Sequence, residues 1–174
     1  MKGIVLVGFM GTGKTEVARA LAGRLRWPWV DTDQWIEQAA DKTIARIFAE
    51  DGEPVFRERE TRALQELVRE SESRVIATGG GIVLAEANWP LLRALGDVAG
   101  LTAEAEEILR RVEKADTRPL LAGSSEDVQT RVRDLLERRR SAYARADAMF
   151  ATDGLTSAEV AENILRWRET RSGV

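Results

Sequence analysis

A chain of 174 residues that is 44% hydrophobic, 32% charged and −3 in net charge has room for one domain with an ordinary core and would leave a second cramped; the acidic balance argues against a nucleic-acid partner. Neither cysteine nor histidine occurs, which excludes disulfides, thiolate or imidazole metal sites and imidazole acid–base catalysis, so proton transfer falls to carboxylates or to the substrate. No stretch approaches the roughly 20 uninterrupted apolar residues of a membrane span, and the first strand begins almost at the N-terminus, so the chain is expected to lack a signal peptide, to engage no membrane and to work in the cytoplasm.

The apolar run Ile4 to Val7 reads as a strand and leads straight into the string from Gly8 to Thr15, GFMGTGKT, a complete GxxxxGK[ST] phosphate-binding loop. Its glycines let the backbone turn with positive φ and let its N–H groups converge on a polyphosphate. The next helix, marked by Val17, Ala18, Leu21, Ala22 and Leu25 at helical spacing, points its N-terminus at the same anion. Lys14 can reach the β- and γ-phosphates and the Thr15 hydroxyl is placed to ligate Mg²⁺, so Gly11, Thr12, Gly13, Lys14 and Thr15 form the nucleotide cradle.

Pro28 to Asp31 reads as a second strand, ending in Asp31, Thr32 and Asp33. Ligands of open α/β sheets gather at the carboxyl ends of strands, and residues two apart share a face. The two acids can therefore divide water-mediated Mg²⁺ binding from hydrogen bonding of a substrate hydroxyl, or one of them caps the following helix. A helical stretch from about Asp33 to Ala49 breaks near Asp41, and a second runs from about Glu53 to Glu70. In the latter, Phe56, Glu60, Ala63, Leu64 and Leu67 share one stripe, which puts an acid on an apolar face. A buried acid needs a partner, and Arg57 lies three residues earlier. An arginine so held is either a preorganised fork for a ligand carboxylate or phosphate or half of a structural ion pair.

Arg74 to Ala77 reads as a third strand, followed by Thr78, Gly79, Gly80 and Gly81; three glycines let the backbone lie flat against a ligand. The strand ends without a Walker-B aspartate, which leaves Asp31 to hold Mg²⁺ through water. A fourth strand is expected near Val98 to Leu101 and a helix over Glu104 to Val112. Lys114 to Glu126, with Pro119, Gly123 and two serines, breaks the periodicity and reads as a mobile lid, in which Arg118 would swing onto the β/γ bridge as an arginine finger in cis. A long helix follows over Asp127 to Ala146. Its stripe of Val128, Val132, Leu135 and Leu136 continues onto Arg139 and Tyr143, so Arg139 should point inward, to an anionic ligand or the sheet edge, and Arg133 and Arg140 outward. Ala148 to Ala151 forms a fifth strand and Ser157 to Arg168 a closing helix. Strands alternating with helices make this an α/β chain with a parallel sheet covered on both faces. A single domain over residues 1–174 is expected, with the lid at about 113–126 and a substrate-binding region at about 32–70.

Taken in order, the phosphate loop, DTD at 31–33, FRERE at 56–60, GGG at 79–81, RPLL at 118–121 and Arg139 four before Tyr143 resemble the pattern of shikimate kinases over most of the chain. That resemblance implies a three-layer nucleoside-monophosphate-kinase-like P-loop fold with sheet order 2-3-1-4-5, and phosphorylation of the 3-hydroxyl of shikimate by Mg·ATP on the route to chorismate. Carried over by motif, it implies that Asp33 binds the substrate hydroxyls and orients or deprotonates the attacking one. Arg57 and Arg139 would clamp the shikimate carboxylate, with Glu60 fixing Arg57 and Gly79, Gly80 and Gly81 lining the pocket. Lys14 and Arg118 would stabilise the transferring phosphoryl group, Thr15 would ligate Mg²⁺ with Asp31 holding it through water, and Arg111 would stack on adenine. A monomer is implied as well.

The chain departs from that pattern at Glu16, where relatives often carry Ser or Thr, and at Arg140-Ser141-Ala142-Tyr143, where an Asn-Pro-Leu-Tyr-like stretch is usual. A kinase of another polyol acid such as gluconate would keep the loop but not DTD, FRERE and GGG together. A nucleotide-binding regulator would lose Asp33, Arg57 or Arg118, and all three are present. A nucleic-acid surface on the arginine-rich helix is opposed by the interleaved Glu126, Asp127, Asp134 and Glu137.

Overall fold

The computed structural model describes residues 2–113 and 125–172. In chain order the elements are β1 (Gly3–Gly8), α1 (Lys14–Leu25), β2 (Trp29–Asp31), α2 (Thr32–Ala40), α3 (Ile44–Glu50), α4 (Glu53–Glu70), β3 (Val75–Ala77), a 3₁₀ turn (Ile82–Leu84), α5 (Asn88–Leu95), β4 (Gly96–Thr102), α6 (Ala105–Glu113), α7 (Ser125–Tyr143), β5 (Ala148–Ala151) and α8 (Ser157–Ser172). The strands form one five-stranded parallel sheet in the order β2-β3-β1-β4-β5, the order implied by the resemblance.

Why β1 takes the centre follows from its composition. Ile4, Val5, Leu6 and Val7 are apolar on both faces, which suits a strand covered on both sides, and all four are fully buried. On one face Ile4 and Leu6 pack with Val17, Ala18 and Leu21 of α1 and Val160, Ala161 and Ile164 of α8. On the other, Val5 and Val7 pack with Leu64 and Leu67 of α4, Trp89 and Leu92 of α5, Ile108 of α6 and Val132 of α7. The sheet thus pins the phosphate loop, which leaves β1 between two helical layers.

The expected break near Asp41 is a left-handed residue with φ 50° that ends α2. Between Gly81 and Val98, where periodicity assigns no element, the chain forms the 3₁₀ turn and α5. At eight residues α5 is too short for a clear period. Tertiary contacts hold it: the Trp89 indole donates to the Val83 carbonyl at 3.0 Å, and buried Asn88 donates to the Ile82 carbonyl at 2.8 Å. Strand β4 starts earlier than its apolar run because Gly96 and Asp97 pair with Gly3 and Ile4. Helix α7 stops at Tyr143, three residues short of expectation; there Ala146 N–H returns to the Tyr143 carbonyl and Asp147 accepts from Val98 N–H at 2.8 Å, so β-pairing overrides helical propensity. The expected lid and Arg118 lie outside the described residues. Among those described, no helix is long and apolar enough to cross a membrane.

Candidate active site

A cavity of about 740 Å³ opens at the carboxyl ends of the strands, walled by the phosphate loop from Met10 to Thr15, by Asp31 and Asp33, by Thr78 and Gly80, and by Arg111 and Thr152. Gly11 and Gly13 adopt φ of 77° and 86°, the left-handed region that favours glycine. Gly13 stands at the N-cap of α1 with no side chain capping it, so the helix presents its first N–H groups to the loop. Lys14 Nζ folds back onto the carbonyls of Gly8 and Phe9 at 2.9 and 2.8 Å. Its charge therefore sits over the anion cradle. Thr12 is buried and ties the loop internally through the Phe9 carbonyl at 2.7 Å.

The capping role foreseen for one of the two acids falls to Asp31, which also meets the phosphate loop. Its Oδ1 accepts from Asp33 N–H at 3.0 Å and caps α2, while its Oδ2 accepts from the Thr15 hydroxyl at 2.8 Å. A cap of this kind contributes about 1 kcal/mol and fixes the carboxylate against the loop. Among the described residues no cluster of three or more His, Cys, Asp or Glu is arranged to hold a metal. A hydroxyl and a carboxylate side by side nonetheless fit Mg²⁺, which prefers hard oxygens and keeps several waters and phosphate oxygens.

Around the glycine turn the second group of residues assembles. Arg57 donates through one terminal nitrogen to Glu60 Oε2 at 2.7 Å and through the other, with Nε, to Glu53 Oε1 at 2.8 and 3.2 Å. Glu60 is only 1% exposed, and its Oε1 is buried without a hydrogen-bond partner among the described residues. Burial raises its carboxyl to a pKa of about 7, against the pull of Arg57, with Asp33 raising it further and Arg139 lowering it. Burial also works against the Arg57 charge, but Glu60 and then Glu53 outweigh it and raise its pKa.

Space is tight at all three glycines. A Cβ on Gly79 would lie 2.6 Å from Asp33 Oδ1 and 2.9 Å from Glu60 Oε1, one on Gly80 would press on Met10 N at 3.3 Å, and one on Gly81 would enter the Arg57 guanidinium. One N–H group of the turn is already engaged: Gly79 N–H donates to the Thr32 hydroxyl at 3.0 Å. Arg139 is half-buried and sits 5.7 Å from the Phe9 ring, while Arg138 and Arg140 are exposed; the inward residue of the three is the one its stripe named. Arg133 pairs with Glu106 on the surface, as expected of a solvated position.

Arg111 is anchored in the cavity wall, donating to Glu107 at 2.6 Å, to the Gly11 carbonyl at 3.2 Å and to the hydroxyl and carbonyl of Thr152 at 2.9 and 3.0 Å. Arg110, then Arg111, hold the Glu107 carboxyl below its ordinary range although desolvation opposes them.

Several contacts of the site escaped the motif reading. Tyr143 donates its hydroxyl to the Gly80 carbonyl at 2.6 Å; its place four residues after Arg139 signalled an inward side chain but not this partner. Burial raises its phenol pKa, against the lowering effect of Arg139. Glu107 was visible as an acid four before Arg111. The contacts of Thr32 and Thr152 carried no local signal, because their partners come from the turn after β3 and from α6.

The family model for shikimate kinase matches residues 10–169. A shikimate kinase of Pelotomaculum thermopropionicum is 43% identical over 96% of this chain and 95% of its own length, and one from Gloeobacter violaceus is 46% identical over 95% and 93%. Among solved structures, shikimate kinase from Acinetobacter baumannii in complex with shikimate superposes with a TM-score of 0.91 at 36% identity, covering 98% of this chain and 94% of that one.

Proposed function

This chain belongs to the shikimate kinase family of ATP-dependent kinases, and from that premise we propose that it transfers the γ-phosphoryl group of ATP to the 3-hydroxyl of shikimate, giving shikimate 3-phosphate and ADP. The observation that carries this reading is the juxtaposition, across Gly79–Gly81, of an acid, Asp33, with a guanidinium, Arg57, fixed by two carboxylates beside a phosphate loop. A phosphate loop alone would serve any nucleotide enzyme; the fixed guanidinium and acid select a hydroxy acid.

In this reading Arg57 and Arg139 bind the substrate carboxylate, and Asp33 accepts the hydrogen bond of the attacking hydroxyl. As its oxygen bonds to phosphorus and the β,γ-bridge bond breaks, the hydroxyl proton leaves toward Asp33, and ADP departs. Phosphoryl transfer asks the protein mainly for positioning and charge stabilisation, so no histidine is needed. Lys14 stabilises the phosphoryl oxygens and Arg111 contacts the nucleotide base side of the cavity. Arg118, outside the described residues, is assigned to the same charge on its motif alone. Thr15, and Asp31 through water, would hold Mg²⁺, which supplies charge neutralisation of the phosphates when bound.

The test is ADP release from Mg·ATP with shikimate, quinate, gluconate or no acceptor. Strong stimulation by shikimate and little by the others is expected. Failure of every acceptor while ATP still binds would replace this reading with a nucleotide-binding regulator.

A further inference from the structure

We propose that Glu60 is a proton-accepting positioning residue: when the substrate carboxylate settles on Arg57, Glu60 takes one proton from solvent, so the pocket binds its anionic substrate together with a proton. The inference rests on the shikimate reading above and adds a group that touches no reacting atom.

Charge balance within the buried cluster carries it. The charged and titratable groups acting on Glu60 are Arg57 on α4 itself, Asp33 from α2 and Arg139 from α7, with Tyr143 of α7 nearby. The other neighbours of α4 meet it elsewhere: α3 through the Phe48–Phe56 ring pair at 4.7 Å and through Asp51 on Arg59 at 3.6 Å, and α5 through the Thr61–Asn88 hydrogen bond at 2.8 Å. Among the described residues two guanidiniums therefore face Glu60 and Asp33, and Arg57 carries a further, exposed carboxylate, Glu53, on its other side, so the cluster holds no surplus of positive charge while its acids are ionised. A further carboxylate arriving on Arg57 leaves an excess of negative charge beside Glu60, which is shielded from water and for which such a charge is costly.

Geometry selects Glu60 to relieve the excess. It is the most buried acid of the cluster, with its Oε2 occupied by Arg57 and its Oε1 facing the same point above Gly79 as Asp33 Oδ1. Those two oxygens are no farther apart than their distances from that point combined. Protonation at Oε1 converts a buried acceptor without a hydrogen-bond partner into a donor beside a carboxylate, while Oε2 keeps Arg57 in place. Glu60 already titrates near neutrality in the free protein, and a substrate anion on Arg57 draws off the cation that keeps it ionised, moving it higher. Above neutrality the free pocket must then gain a proton to bind, so affinity falls as pH rises.

Calorimetric titration of the intact protein with shikimate at pH 7.5, in phosphate and in Tris buffers of different ionisation enthalpy, measures this directly. Uptake of up to about one proton per shikimate is expected, with Kd rising by at most about tenfold per pH unit above pH 7. In Glu60→Gln, a neutral mimic, uptake should vanish and Kd should stay level with pH. Tight binding without buffer dependence in the wild type would overturn the inference, and that measurement stands without the variant. Undiminished uptake in Glu60→Gln, or a pH-independent loss of affinity in it, would also overturn it by assigning Glu60 an anchoring role only. Absence of shikimate binding in every buffer would remove the substrate reading itself, a result distinct from binding without uptake.

Discussion

The phosphate loop and the charged cluster at the glycine turn meet anions by opposite means, which makes them two sides of one site. On the nucleotide side, consecutive backbone N–H groups and the N-terminus of α1 belong to one segment from Gly8 to Thr15, rooted in the fully buried β1. On the acid side, guanidinium and carboxyl side chains arrive from α2, α4 and α7 onto a turn after β3. Backbone dipoles do not titrate and need no counterion, so the first side is insensitive to pH near neutrality and to loss of most single side chains. Charged side chains in a dry cluster must balance one another, so the second side is exposed to single substitutions, to added volume and to pH.

The sharpest way to break this contrast is Asp33→Ala. It is expected to lower shikimate-dependent kcat by about 10²–10⁴-fold while leaving ATP affinity within about twofold, read by steady-state kinetics and nucleotide titration. Equal loss of ATP binding would mean that the sides are not separable. Arg57→Ala should raise KM for shikimate by about 10²-fold, because it removes a charge-assisted contact and strands buried Glu60, again with ATP binding kept. Gly79→Ala tests volume in place of charge. Its Cβ would displace Asp33 or Glu60, and a loss of roughly tenfold in kcat/KM for shikimate is expected from misplacement alone; unchanged kinetics would show that the turn yields.

Stability against pH sharpens the contrast in a different observable. The native pKa of Glu60, about 7, lies above its ordinary value of 4.5, so the native state holds more protons than the unfolded chain between those values. Its contribution to stability is whole below about 4.5, is lost as pH rises through 7, and stays lost above. The difference in unfolding free energy between wild type and Glu60→Gln, followed by denaturant titration, should therefore grow over that window and then level off; a flat difference would remove Glu60 from the account. Glu53→Ala is the smallest case. Glu53 is 62% exposed, so losing its half of the Arg57 fork should cost under about 1 kcal/mol and change KM less than about threefold.

The same contrast explains what was readable before any coordinates. A cradle made from eight contiguous residues has its geometry encoded by local backbone preferences, so the loop, its strand and its helix were legible directly. Glu60 was legible because helical periodicity placed an acid on an apolar stripe, and Arg139 because three- and four-residue spacing continued such a stripe. The donor from Tyr143 to Gly80, the anchoring of Arg111 on Thr152 and the hold of Thr32 on Gly79 were not, since each joins residues more than 40 positions apart. Helix α5 was missed for the same reason: eight residues carry little period, and contacts with the 3₁₀ turn stabilise it.

The sequence by itself determined the α/β class, the phosphate cradle and, through ordered motifs, the family, because each rests on spacing within one segment or on the succession of segments. Only the tertiary structure decided that the turn after β3 packs its glycines against Asp33, Glu60 and Arg57, that Asp31 serves both cap and loop, and that Glu60 lies among charges whose sum must change when an anion binds. Those properties are sums over volume and charge in three dimensions, and residues distant in the chain enter them on equal terms with neighbours.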